Sequence, residues 1–168
     1  MQRDVHPETD VAGVLDRLVA AELPERRGLD AWVFLLQAHA TLIRRLETDL
    51  GRETGLALAD FDVLAQLARA GGELRMTELA ARALISRSGM TRRVARLVDE
   101  GLVRRADADG DGRGVVVALT DAGVSRLAET APVHARGIWK LFVKQLDDQE
   151  LAIVEHALSK VIVDCSFG

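Results

Sequence analysis

Apolar residues recur every three or four positions over most of this chain, which is the spacing of helices that bury one face. In the first part of the chain, this spacing predicts three helices, over 11–23, 31–50 and 60–70. Each predicted helix is followed by residues that interrupt helices: Pro24, Gly51 and the pair Gly71-Gly72. The first half of the second helix, AWVFLLQAHA, is apolar on nearly every side, so we expect another surface to cover it.

The middle of the chain, from Met76 to Thr120, changes pattern. Thr77 is placed to cap a short helix over 78–83, and Ser86 is placed to cap a longer helix that ends at Gly101. Four apolar residues of the longer helix are spaced to form its buried side: Met90, Val94, Leu97 and Val98. The two helices are separated by a short turn, as in a helix-turn-helix unit.

Two β-type runs follow, Leu102–Arg105 and Val115–Leu119, and the loop between them is rich in glycine. This composition predicts a β-hairpin with an exposed tip, and residues 73–76 predict a further minimal strand. A helix, a turn, a second helix and a hairpin in this order make a winged helix-turn-helix. Such a unit places its second helix in the major groove of DNA.

The last third of the chain predicts further helices. One begins at Thr120 and is interrupted or bent at Pro132, and a long helical region runs from about 134 to 163. Apolar helices at both ends predict a homodimer built from its termini. We therefore predict a mainly α fold with a small β-wing. It has an N-terminal extension with a short helix (1–28), dimerisation helices (29–55 and 121–168) and a winged helix-turn-helix DNA-binding lobe (56–120).

Charge is distributed unevenly along the chain. Residues 75–105 contain eight arginines and three acids, a net charge of +5, whereas the whole chain carries −4 and the remainder therefore carries −9. A polyanion would be attracted to this one region and repelled by the rest. The three lysines all lie outside it, and arginine suits both bidentate contacts to guanine and insertion into a narrow minor groove. Double-stranded DNA is the partner that this pattern favours.

Three segments together resemble the MarR family of bacterial winged-helix regulators: GLALADFDVLAQLARAGG, MTELAARALISRSGMTRRVARLVDEGLVRR and DGDGRGVVVALTDAG. The resemblance covers about Leu29 to the C-terminus. It implies a homodimer on a pseudo-palindromic operator, in most members a repressor, often released by a small aromatic or anionic effector. The chain departs from the family at Ala57, where a residue that caps the next helix is usual. It also lacks the tryptophan expected of the urate-responsive branch in its N-terminal extension.

The resemblance also assigns candidate DNA contacts. The family's recognition helix falls on Ser86–Glu100, and the Asp-x-Arg of its wing falls on Asp111 and Arg113, where the acid orients the arginine toward the minor groove. With two further positions on the same lobe, the candidate DNA-binding residues are Thr77, Ser86, Arg87, Ser88, Thr91, Arg92, Arg96, Asp111 and Arg113.

An effector pocket is the second candidate site. Trp32, His39 and Asp62 could line it where the dimer helices meet the DNA-binding lobe. The alternative is that all three serve the fold. Trp32 would then be an anchor of the dimer core, His39 an interior histidine, and Asp62 a bridge within or between helices.

Enzyme motifs, a metal site and a cofactor site are not predicted. The chain has no Gly-x-Ser-x-Gly, no phosphate-cradling glycine loop and no Cys/His pair. The wing matches the opening of a calcium loop through Asp107, Asp109, Asp111 and Gly112, but the twelfth position is Ala118 instead of the bidentate glutamate. The alternative to a DNA-binding regulator is a winged-helix module that binds only proteins.

Hydropathy, the N-terminal residues and the cysteine content predict where in the cell the protein is located. No apolar run reaches the roughly 18 residues of a membrane span, and residues 1–10 lack the pattern of a signal peptide. The single cysteine, Cys165, excludes an intrachain disulfide and fits a reducing compartment. We therefore expect a cytoplasmic protein without a membrane partner.

Overall fold

The computed structural model describes residues 11–23, 28–83, 85–107 and 114–165. The chain divides into two compact units, Met1–Thr41 and Leu42–Gly168, and each is described by itself. Within the described residues no helix combines the length and the apolar character of a membrane span.

The described residues form seven α-helices and three strands, joined in part by a 3-10 turn at Val143–Gln145. The helices are α1 Val11–Glu22, α2 Leu29–Thr54, α3 Leu58–Arg69, α4 Met76–Arg82, α5 Arg87–Asp99, α6 Asp121–Leu141 and α7 Asp148–Cys165. The strands are β1 Glu73–Arg75, β2 Val103–Asp107 and β3 Val115–Leu119. The mainly α fold class with a small β-wing is therefore confirmed.

The strands form one antiparallel sheet in the order β1-β3-β2. Val117 of β3 lies opposite Leu74 of β1 on one side and Arg105 of β2 on the other. The predicted hairpin and the predicted minimal strand are therefore both present. The strands β2 and β3 follow the helix pair α4–α5, which gives the order of a winged helix-turn-helix.

The core of the second unit lies between α3, α4, α5 and the sheet. Leu67, Leu79, Leu97 and Val117 are each 0% exposed and belong to one continuous apolar cluster. Of the four apolar residues predicted to be buried on α5, Met90, Val94 and Leu97 are buried. The prediction is wrong for Val98, which is 36% exposed.

The predicted end of a helix at Gly51 and the predicted interruption at Pro132 are wrong, and the alternative at Pro132, a bend, stays a prediction. Helix α2 continues through Gly51 to Thr54, whose carbonyl oxygen accepts a hydrogen bond from Arg126 of α6. It ends before Gly55, which adopts a positive φ of 71°. Helix α6 likewise continues through Pro132, where the flanking Ala131 and Val133 pack against the core. The interruption lies further on, between α6 and α7.

The predicted cap at Thr77 is also wrong. Helix α4 begins at Met76, after Arg75, and it has no side-chain cap. Arg75 is still paired with Val116 of β3, so the chain passes directly from the strand into the helix. Thr77 therefore lies inside the first turn and is exposed.

The uncapped start of α3 is supported from another helix. Ala57 offers no side-chain acceptor, and the backbone N–H of Leu58 donates instead to Oε2 of Glu47 on α2, at 2.9 Å. A carboxylate is well suited to this place, because the start of a helix carries partial positive charge. Glu47 thereby replaces the missing cap and connects α2 to α3.

We expect Glu47→Leu to lower the free energy of unfolding by about 1 kcal/mol, the usual effect of losing a helix cap. Glu47→Gln keeps an oxygen acceptor and should lose only part of that amount. Urea denaturation of both variants beside the wild type measures the difference. Equal stability of Glu47→Leu and wild type would show that the contact contributes nothing.

Candidate nucleic-acid interface

The exposed side of α5 is the candidate DNA-reading surface. Since Met90, Val94 and Leu97 are buried against the core, the opposite side of α5 faces outward. The five candidate contacts at and along this helix are all exposed: Ser86, Arg87, Ser88, Thr91 and Arg92.

The first turn of α5 is held by hydroxyl groups. Ser86 Oγ accepts from the backbone N–H of Gly89 at 3.2 Å, so the predicted cap at Ser86 is confirmed. Ser88 Oγ lies 3.3 Å from Ser86 Oγ. A Cβ on Gly89 would come within 2.9 Å of Ile85 Cγ2 and 3.1 Å of Ser86 Oγ, so a larger residue would require these side chains to shift.

The middle of α5 is tied to the wing. Thr91 Oγ1 donates to the carbonyl of Arg87 at 2.9 Å, and Nη2 of Arg105 on β2 donates to the carbonyl of Thr91 at 3.2 Å. Arg105 therefore braces the helix instead of projecting freely from the strand. This contact and the core hold the described base of the hairpin against α5.

The arginines of this lobe differ in their partners. Arg82 is paired with Glu78 on its own helix at 2.7 Å. In the described part of the chain, Arg87 and Arg92 have no carboxylate partner within ion-pair distance. Arg87 and Arg92 are therefore the arginines of α5 whose charge is available to a polyanion.

The two other arginines of α5 share one buried carboxylate. Asp60 of α3 is 3% exposed, and its Oδ1 accepts from Nη1 of Arg93 at 2.8 Å while its Oδ2 accepts from Nη2 of Arg96. The hydrogen bond and the charge of Asp60 raise the pKa of Arg96 above its usual value. We call Asp60, Arg93 and Arg96 the Asp60 cluster. Arg96, a candidate DNA contact from the sequence, has its partner inside the protein.

Sequence reasoning did not single out Asp60 or Arg93. The available signal was the position of Asp60, which lies four residues before Leu64 and seven before Leu67 and so falls on the buried side of α3. An acid at such a position needs a partner, because an unpaired buried charge is costly.

The tip of the wing, with Asp111 and Arg113, lies outside the described residues. The base of the hairpin is described as far as the pairing of Asp107 with Val115. Asp109 and Gly112 of the calcium-loop pattern also lie outside the described part. Among the residues that the structure does describe, no group of three or more potential metal ligands comes together.

The three candidate effector residues are all exposed on this chain. Trp32 is 57% exposed and lies with His39 on the part of α2 that belongs to the first unit, while Asp62 lies on α3 in the second unit. Partial burial raises the pKa of the Asp62 carboxyl, and the charges of His134 and Arg69 act against that rise. The proposed pocket remains a prediction.

His134 of α6 packs on α3, with its ring centroid 4.4 Å from that of Phe61. Burial lowers the pKa of His134 below its ordinary value of 6.5, opposed by the charge of Asp62 and reinforced by that of Arg69. Its folded-state pKa thus lies below its unfolded-state pKa. As the pH falls below 6.5, the unfolded chain binds the proton first, and the folded state loses stability until the folded-state pKa is reached.

We expect the free energy of unfolding to fall between about pH 7.5 and about pH 5.5, and to fall less in His134→Gln than in wild type. Urea denaturation at the two pH values measures both differences. His156→Gln, an exposed histidine on α7, is the control and should behave as wild type. The same pH dependence in His134→Gln and wild type would exclude His134 as its source.

Comparisons with known proteins agree with this geometry. The family model described as MarR family matches residues 54–114. The HTH-type transcriptional regulator PecS of Dickeya dadantii is 32% identical over 95 residues, which is 54% of this chain and 57% of that protein. The matched stretch thus spans a little over half of that relative's length.

Two solved structures from Streptomyces coelicolor are similar over most of their length. A MarR family transcriptional regulator in complex with DNA is 33% identical, with a TM-score of 0.74, covering 79% of this chain and 86% of that one. AbsC, also a MarR family transcriptional regulator, is 27% identical with a TM-score of 0.77, covering 83% and 95%. These similar proteins are transcription regulators.

Proposed function

The chain belongs to the MarR family of transcriptional regulators, and on that premise we propose that it binds double-stranded DNA in a sequence-specific manner through α5. The observation that carries this proposal is the exposed side of α5. There Arg87 and Arg92, without acidic partners in the described residues, lie among the hydroxyls of Ser88 and Thr91. Arginine and hydroxyl side chains are the usual readers of base edges and phosphates.

We propose that the active form is a homodimer on a pseudo-palindromic operator. Exposed apolar side chains support this at both ends of the chain, including Phe34 at 68% on α2 and Ile153 at 60% on α7. A two-fold dimer would place its α5 helices about one helical turn of DNA apart, roughly 34–36 Å, in successive major grooves. Arg113 of each wing would then reach the flanking minor groove.

We further propose that the protein is a repressor and that a small aromatic or anionic effector releases it. Trp32, His39 and Asp62 are the candidate contacts for that effector. An effector lowers DNA affinity only if it binds more tightly to a conformation that fits the operator less well. A change in the separation or angle of the two α5 helices would provide such a difference.

The first experiment is selection of duplexes from a random pool by the purified protein, followed by titration at two salt concentrations with the mass of the complex measured in parallel. Enrichment of an inverted repeat, bound by a dimer with steep salt dependence, would support the proposal. Binding to no duplex even at low salt would contradict it and favour a module that binds only proteins.

Arg92→Gln tests the role of α5 directly. If Arg92 reads a base, we expect a loss of about 1–3 kcal/mol in binding free energy and a relaxed preference at one position of the selected duplex. If it contacts phosphate, the affinity should fall uniformly and the salt slope should fall by about one. Arg52→Gln is the control, since Arg52 is 69% exposed on α2 and lies beside Asp49. Equal affinities of Arg92→Gln and the control would remove Arg92 from the interface.

A further inference from the structure

Asp60 holds the candidate recognition helix through both of its carboxylate oxygens. One oxygen accepts from Arg93 and the other from Arg96, which follows three residues later on the same side of α5. The carboxylate is almost fully buried, whereas the side chains of Arg93 and Arg96 are 26% and 51% exposed. The acid is therefore the immobile member of the cluster, and the helix is held against it.

The two hydrogen bonds to Asp60 hold α5 against α3 and also restrict the orientation of α5. The apolar contacts of Met90, Val94 and Leu97 set which side of α5 is buried, and they include no directional bond. Hydrogen bonds between guanidinium and carboxylate groups are directional, and two of them three residues apart restrict rotation about the helix axis. That rotation decides where Arg87 and Arg92 point.

Asp60 is itself held in place by contacts of the first turn of α3 with α2. Two residues before Asp60, the backbone N–H of Leu58 is bound by Glu47 of α2. The first turn of α3 is thus attached to α2 through Glu47 and to α5 through Asp60. The side chain of Arg93 is largely buried where it reaches Asp60, and its Nε is inaccessible to solvent.

We propose that Asp60 is a positioning residue for DNA recognition, which sets the rotation of α5 and engages Arg93 and Arg96 so that they serve the helix rather than the DNA. This inference rests on the proposed function and deepens it. It divides the four arginines of α5 into a pair that contacts DNA, Arg87 and Arg92, and a pair that orients the helix.

The test compares Asp60→Asn, Arg96→Gln and Arg92→Gln on two duplexes, the one selected by the wild-type protein and a scrambled version of it. The affinity for each duplex is measured over a series of salt concentrations. The ratio of the two affinities does not depend on the fraction of protein that is folded, so a purely structural loss leaves it unchanged. Asp99→Asn is the matched control, because Asp99 is an exposed acid at the end of the same helix.

We expect the ratio of the two affinities to fall by about tenfold or more in Asp60→Asn, which is the effect of one mismatched base pair. The ratio should also fall in Arg96→Gln. The salt slope should stay unchanged in Arg96→Gln, whereas in Arg92→Gln it should fall by about one if Arg92 contacts phosphate. Arg96→Gln removes a half-exposed side chain and should fold even if Asp60→Asn does not.

The proposal is overturned if the ratio in Arg96→Gln equals that of Asp99→Asn, or if the salt slope in Arg96→Gln falls by about one. The second result would make Arg96 a phosphate contact. Wild-type protein that binds neither duplex would overturn the proposed function itself and this inference with it. If only the inference fails, the wild-type protein still distinguishes the two duplexes, and Asp60→Asn and Arg96→Gln distinguish them equally well.

Discussion

Gly123→Ala is expected to lower the free energy of unfolding by about 3 kcal/mol or more. Gly123 lies in the first turn of α6, and a Cβ there would come within 2.0 Å of the carbonyl oxygen of Leu102. That oxygen accepts the backbone N–H of Thr120 at 3.2 Å, so it cannot move away without loss of the contact. The methyl group would force apart the start of α6 and the chain that leads into the wing.

Gly51→Ala is the matched control for this change. Gly51 also lies within a helix, α2, but a Cβ there would meet no atom within 4 Å. Alanine should stabilise the helix by about 0.5–1 kcal/mol, because glycine loses more backbone entropy on folding. Urea denaturation of both variants measures the difference. Effects of the same sign and size would contradict the close approach at Gly123.

Leu97→Ala is expected to have the second large effect, a loss of about 3 kcal/mol in the free energy of unfolding. Leu97 is 0% exposed and belongs to the apolar cluster that joins α5 to α3, α4 and the sheet. Its truncation removes buried apolar surface and leaves a cavity beneath the candidate recognition helix. DNA affinity should fall in parallel wherever the folded fraction falls.

Val98→Ala distinguishes this burial from a general sensitivity of α5. Val98 is the next residue along the helix and is 36% exposed, so its truncation should cost less than about 1 kcal/mol. The two variants are compared by urea denaturation at one pH. A Val98→Ala loss as large as that of Leu97→Ala would show that Val98 is covered, for example by a second subunit.

Local patterns predicted the elements of the winged helix-turn-helix unit, although the predicted cap at Thr77 was wrong. The spacing of Met90, Val94 and Leu97 indicated which side of α5 is buried, and Ser86 marked where the helix begins. These predictions hold because a helix places residues three and four apart on one side, and because a serine cap acts within three residues of itself.

Predictions that treated helix-interrupting residues as decisive were wrong. Gly51 lies inside α2 and Pro132 lies inside α6. Each residue lowers the stability of a helix, and contacts with other helices can offset that loss. For α2 the contact is Arg126, 72 residues further along the chain from Thr54. The sequence around Gly51 gives no sign of this contact.

The sequence by itself determined the order of the elements, the buried side of α5 and the excess of arginine around it, because each depends on residues close together in the chain. Only the tertiary structure decided which of those arginines have a partner inside the protein. Asp60 lies 33 and 36 residues before its two partners, Arg93 and Arg96, whereas Arg87 and Arg92 have no carboxylate partner among the described residues. A charge on a helix surface has the same sequence signature whether it faces DNA or a buried acid, and only folding brings that acid beside it.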